Sequence, residues 1–390
     1  MSDIAVAHGQ IYAVTRESEL YVWGLDNIGY NRNWNLEDQI YEPYQVYNLT
    51  GIVRVTGFEE KVIAEDENGT VWCLGYGYNG EFGIIPEDYG IAPVMDSAYL
   101  EGFDSINPGM THTLALKDGF IYSCGANQCG QLGNGTLDQV IEPAGLNAGD
   151  IFIQVSAGDK YSAAVDSGGN LWTWGYNGYG QLGNGTAEDR YLPERNRYMQ
   201  NVSSVSAGSN HILAVKSDGT VWACGRNDYG QLGYRVKQPP SESHVPERMV
   251  SLKGVTQICA ASGIGAAILT DGTLLTWGER NQYAYLGDGS EADRILPSVN
   301  PFIAHAESID MSPSHSLVLD RDGSVWAWGD NVGGQLGNGT IENVFEIPQK
   351  VFFLHDAVQV AAGEYFSLAL RENGTVWMWG WDLFGNHISN

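Results

Sequence analysis

A short phrase ending in tryptophan–glycine, or a close variant of it, recurs eight times along the chain. It reads YVWG ending at Gly24, VWCLG at Gly75, IYSCG at Gly125, LWTWG at Gly175, VWACG at Gly225, LLTWG at Gly278, VWAWG at Gly329 and VWMWG at Gly380, at intervals of 50 to 53 residues. A fixed period of that size restricts a chain to a solenoid, a propeller or a stacked array, because one supersecondary unit can bury its faces only against copies of itself. The approximate copies are 3–50, 51–100, 101–149, 150–201, 202–253, 254–304, 305–355 and 356–390, the last of them incomplete.

Each copy has four pieces. A first apolar-alternating run such as IQVSAG (Ile153 to Gly158) ends in small residues. A second run follows, such as SAAV (Ser162 to Val165), then a turn of the type DSGG, KSDG, DRDG or RENG. The third run carries the tryptophan–glycine phrase. A glycine-rich loop such as YNGYGQLGNGT leads to a weaker fourth run near a proline, here YLPERN. Asp-Gly and Asn-Gly between apolar runs are hairpin signals, and runs of four to six residues rich in Val, Ile and Trp suit strands. Four short antiparallel strands at a fixed repeat describe a propeller blade. The chain therefore predicts an all-β fold, a closed β-propeller of four-stranded antiparallel blades, with eight blades by copy count. Trp174, Trp277, Trp328 and Trp379, each just before the glycine, are expected to pack between neighbouring blades.

Several phrases resemble ligand loops and are absorbed by the repeat. GYGYNG at Gly75 to Gly80 matches a dinucleotide-type glycine loop but opens no helix, which that chemistry requires. DRDG at Asp320 to Gly323 resembles the start of a calcium loop, yet it aligns with the other hairpin turns and lacks the distal glutamate. The NGT sequons at Asn134 and Asn184 are likewise repeat turns. The five cysteines form no CxxC pair, so neither a zinc site nor a disulfide framework is expected. No cofactor and no metal site is read. His112, His211 and His315 share a slot that Tyr161, Ile264 and Phe366 fill in other copies, so these histidines read as packing residues. No serine nucleophile elbow, HExxH or paired cysteine–histidine signature appears, and the chain is not read as an enzyme.

The formal net charge is −27, which argues against nucleic acid and anionic membrane as partners and allows a basic protein surface. No apolar run is long enough to span a bilayer. The opening MSDIAVAHGQIYAV has no basic region followed by an apolar run, so no secretion leader is expected, and the compartment stays open between the cytoplasm and export with a trimmed leader.

The units VSAGSNHILAVKSDGTVWACGRNDYGQLG and VAAGEYFSLALRENGTVWMWG, and above all WGYNGYGQLGNGT at Trp174 to Thr186, resemble repeats of the regulator of chromosome condensation family, of the bacterial or alpha-tubulin-suppressor-like type. The resemblance covers essentially the whole chain, with the first two copies degraded. It implies a closed propeller, usually of seven blades, against the eight counted here.

In an up-and-down blade the first and third strands point the same way. The loops after AG and after WG therefore emerge on one face, and the hairpin turns on the other. Side chains that vary between copies in the first two loop sets are free to serve a partner: Tyr161, Tyr365 and Phe366 after AG, and Tyr176, Tyr179, Arg226, Tyr229, Tyr283, Trp381 and Phe384 after WG. Tyr, Trp and Arg are the residues that carry interface energy. The leading expectation is a non-catalytic protein-binding propeller, an interaction scaffold or inhibitor-like module. The resemblance also implies, as a second class, a guanine-nucleotide exchange factor for a small GTPase. A third class is a lectin-like propeller that stacks sugars on these aromatics. The plant ultraviolet-B photoreceptor of the same family has a tryptophan cluster in the AG loops, and this chain has none there.

Overall fold

The computed structural model describes residues 3–7, 10–24, 40–58, 61–68, 71–76, 91–96, 103–146, 148–234, 242–249, 252–260, 263–279, 286–289, 294–312, 314–341, 344–363, 366–381 and 387–388. They form eight four-stranded antiparallel sheets, each of four consecutive strands in chain order. The protein is an eight-bladed β-propeller, one blade more than the resemblance implies. No helix occurs among the described residues, so none is long and apolar enough to cross a membrane.

Blade four shows how sequence becomes blade. Its strands are Phe152–Ala157, Tyr161–Asp166, Leu171–Gly175 and Arg190–Arg195. The first strand is half buried and lies beside the first strands of the neighbouring blades. The second is buried throughout, because both its faces meet another blade. The fourth is an exposed edge. Its register with the third strand breaks between Thr173 and Gly175, and Pro193 falls in the break. Pro143, Pro246, Pro297 and Pro348 fall in the equivalent breaks of blades three, five, six and seven. A proline cannot donate to a ladder, so its place on an outer strand costs no pairing and blunts an edge that could template aggregation.

The ring closes by side chains, without strand exchange. Asp3 accepts from the Gln359 side-chain amide at 3.0 Å through one oxygen and from the Val55 backbone N–H at 2.9 Å through the other. One carboxylate thus joins blades eight, one and two. Behind it Ile4 and Ala13 share an apolar cluster with Ala361, Phe366, Leu368 and Leu370. The last copy reads as incomplete in the sequence, which leaves its fourth strand in question. His387–Ile388 turns back to pair with Trp381 and Gly380, so an outer strand is present but only two residues long.

The glycine-rich loop proves to be a staple between blades. The main-chain carbonyl of Gln131, in the loop of blade three, accepts the Trp174 indole N–H of blade four at 2.8 Å. The carbonyls of Gln231 and Gln335 receive Trp277 and Trp379 at the same distance, and that of Gln181 faces the Cys224 thiol, which fills the tryptophan slot, at 3.4 Å. Trp174, Trp277 and Trp328 have no exposed surface, and Trp379 is 8% exposed. Each staple is shaped by its asparagine. The Asn127 side-chain oxygen accepts the Leu132 N–H, and its amide donates to the Thr136 carbonyl, a pattern repeated at Asn177 and Asn331. Gly133 has to be glycine: its φ is +72°, and a Cβ there would lie 2.7 Å from the Trp174 indole nitrogen.

The histidine slot lies in the same seams. His112 and His315 are fully buried, and their Nε2 atoms meet the hydroxyls of Ser162 and Ser367 on the following blade at 2.9 and 2.7 Å. His211 is equally buried, but the matching residue on blade six is Gly265, whose missing side chain makes room for the Trp277 ring. Among the described residues neither ring nitrogen of His211 has a partner. The next seam shows the complement: Ile264 fills the histidine slot, and the Ser316 hydroxyl is left without a partner.

Candidate functional site

The antiparallel order puts the loops after the first and third strands on one face. Four of the residues singled out in those loops touch one another there. Tyr176 and Tyr179, from the loop of blade four, meet edge to face with ring centroids 6.2 Å apart. Arg226, the last residue of the third strand of blade five, lays its guanidinium 5.1 Å from the Tyr179 ring centre and 5.6 Å from that of Tyr229. Asp228 accepts from Arg226 Nε at 2.6 Å, which holds the guanidinium in place and raises its pKa further. Tyr229 continues the strip toward blade six, where its ring and the Glu279 side chain both flank the backbone of Gly263.

The staple chemistry builds this strip. The backbone N–H groups of Tyr179 and Tyr229 each donate to a glutamine side chain two residues on, Gln181 and Gln231, at 3.0 Å. The same backbone bond in two consecutive blades places the two tyrosines at equivalent loop positions one blade apart, and Arg226 lies near both rings. Tyr176, Tyr179 and Arg226 are half-buried and Tyr229 is 36% exposed. The rim is acidic. Burial raises the Tyr176 hydroxyl pKa, and Tyr179, Asp189 and Glu242 nearby raise it further.

Two expectations are corrected by burial. Tyr161 has no exposed surface: its hydroxyl lies in the seam with blade five, within 2.8 Å of the Gly208 carbonyl and 2.6 Å of the His211 carbonyl. Phe366 is 4% exposed and packs in the closing cluster of blades eight and one. Both open a second strand, whose first residue points into a seam, so neither offers a surface to a partner. Tyr283, Tyr365 and Phe384 lie outside the described residues, as does the side chain of Trp381, whose backbone ends the third strand of blade eight. Asp228 was not singled out from sequence. Its signal was a carboxylate two residues beyond an arginine within one tight loop. Burial pushes the Cys224 and Cys259 thiols up to about 12 and, with Asp189 as a lesser cause, raises Cys129. No group of three or more metal-ligating side chains occurs among the described residues.

The sequence profile of the RCC1-like domain matches residues 93–389. The chain belongs to the RCC1-like domain family. A stretch of 134 residues is 35% identical to the human E3 ubiquitin-protein ligase HERC2, covering 33% of this chain and 3% of that protein. Another of 151 residues is 31% identical to the Arabidopsis thaliana ultraviolet-B receptor UVR8, covering 37% of this chain and 34% of the receptor. The chain thus matches only a minor part of the length of these RCC1-like relatives. Among solved structures, Prp20p from Saccharomyces cerevisiae superposes with a TM-score of 0.72 at 19% identity over 94% of this chain and 92% of its own. Human WBSCR16 superposes with a TM-score of 0.70 at 20% identity over 89% and 96%. At that identity the RCC1-like structures share the fold.

Proposed function

We propose that this chain is a protein-binding propeller whose partner docks on the WG-loop face of blades four and five. The observation that carries the reading is the mutual contact of Tyr176, Tyr179, Arg226 and Tyr229, side chains from two blades that the fold does not need for closure. Equivalent loop positions hold Cys129 and Gly333 in other blades, so the staple tolerates almost any residue there. A cluster of tyrosine and arginine, half-buried and fixed by its own contacts, has the composition and rigidity of an interface hot spot. Proteins of the same fold give the reading a context: Prp20p was crystallised in work on its binding to Gsp1p and histones, and also in complex with Kap60. A sugar-stacking role is less favoured, because the Arg226 guanidinium already covers a face of both Tyr179 and Tyr229.

The test is double replacement of Tyr179 and Tyr229 by alanine, after a partner has been captured with the intact propeller and identified. Affinity is expected to fall by about 2 kcal/mol or more. The melting temperature should barely move, since truncating surface side chains costs roughly 0.5 kcal/mol each. Lost stability with unchanged affinity would return the pair to packing and move the search to the hairpin-turn face. A nucleotide-release assay on any GTPase partner separates an exchange factor from a scaffold.

A further inference from the structure

Arg226 is held on three sides and unspent on the fourth. Its Nε is fixed by Asp228, and its plane lies against Tyr179 and Tyr229. The side chain remains 31% exposed, and its two terminal amino groups form no hydrogen bond with any described residue. Arginine normally loses considerable rotamer freedom when it pairs. Here the plane is already set, so a planar bidentate acceptor meets a fork that has little left to lose.

We infer that Arg226 is a preorganised receptor for a carboxylate that the partner presents to the loop face. This rests on the loop-face reading above and adds the chemistry of the partner's contact. A carboxylate offers two coplanar oxygens that match the free amino groups in a fork-to-fork pair. A phosphate monoester offers similar oxygens but carries close to two charges. Asp189 and Glu242 act on the Tyr176 hydroxyl, Glu242 also stands opposite Arg226 across the third and fourth strands of blade five, and Glu279 borders the Tyr229 end. Asp228 already balances the Arg226 charge, so the net field an incoming anion meets comes from those rim carboxylates, and it opposes a doubly charged group more than a singly charged one. The partner's contact residue is accordingly an aspartate, a glutamate or a chain terminus, even though the propeller as a whole is strongly acidic.

The full chain, labelled with 15N at arginine, is titrated with sodium acetate, with phenyl phosphate and with sodium chloride at matched ionic strength. The Arg226 side-chain resonances are identified by their loss in Arg226→Lys. Acetate should move them saturably, with an apparent dissociation constant on the order of tens of millimolar, as befits one isolated ion pair. Phenyl phosphate should bind more weakly than acetate, and chloride should give no saturable shift. Equal shifts with chloride, no saturation, or tighter binding of phenyl phosphate would overturn the proposal. Once a partner is in hand, Arg226→Lys should weaken it by about tenfold or more, because lysine keeps the charge but loses the fork. The two readings fail separately. A partner lost in the double tyrosine variant, with Arg226 silent to acetate, leaves the docking face standing and removes the carboxylate. Acetate binding at Arg226 with the partner indifferent to the tyrosines does the reverse.

Discussion

Trp174→Ala should destabilise the propeller by about 3–5 kcal/mol, the usual cost of removing a buried indole. The side chain has no exposed surface and belongs to a buried cluster with Leu114, Leu116 and Ile121 of blade three and Val155 and Ala164 of its own blade, so truncation opens a cavity in a seam. It also deprives the Gln131 carbonyl of the indole N–H at 2.8 Å. That carbonyl keeps a second donor, the Ser162 hydroxyl at 2.7 Å, so the cost is dominated by lost packing. Trp328→Ala, in a cluster with Ile268, Ile303 and Ile309, should cost a similar amount. The measurement is the urea midpoint of each variant, read beside partner affinity at a temperature where the variant is folded. A variant that kept its midpoint and lost its partner would show that the slot is a recognition element.

Acid should weaken the ring through its buried histidines, beginning well above the carboxylate range. Burial lowers His211 from the ordinary 6.5 to about 4 and His315 to about 3. In the unfolded chain both titrate near 6.5. As pH falls below that value the unfolded chain takes up protons that the folded chain refuses, so stability drops. The loss from His211 is complete once pH is below about 4, and at about 1.4 kcal/mol for each unit of difference it reaches roughly 3 kcal/mol. His315 adds about 5 kcal/mol by pH 3 on the same reasoning. His211→Ile tests the first part, and Ile264 shows that the slot accepts isoleucine in this chain. At pH 7 the variant should be as stable as the parent or more so, because the imidazole it removes has two unpaired nitrogens. Its urea midpoint should then fall less between pH 6.5 and pH 4.5. A variant with the same acid dependence as the parent would contradict the assignment.

The repeat made the architecture legible. Fixed spacing, hairpin turns and the tryptophan–glycine phrase specify strand order and the two loop faces, because each depends on contacts within one copy or between adjacent copies; they count eight copies but leave seven or eight blades open until the ring is seen closed. The tryptophan slot was legible for the same reason: every copy repeats it. Tyr161 and Phe366 were misplaced on the loop face, although the clue lay in the sequence. They share a slot with His112, His211 and His315, so the substitution pattern that marks those histidines as packing applies to them as well. The register, with Tyr161 opposite Gly175 and Phe366 opposite Gly380, places that slot inside the second strand. A boundary one residue off moves a side chain from loop to seam.

The Tyr179–Arg226–Tyr229 contact was not legible as a contact. Tyr179 is separated from Arg226 and Tyr229 by about a full repeat, and sequence offers no distance between the loop of one blade and that of the next. The broken seam at His211 is of the same kind, since the histidine, its missing serine partner and the intruding Trp277 ring belong to different strands of two blades. The sequence by itself determined what repeats, the strands, the turns and the tryptophan slot, while the structure decided eight blades over seven and showed the staple between them. Only the tertiary structure decided what varies, because the surroundings of a varying side chain come from the blade next door, and the rotation between blades is set by packing across the seams.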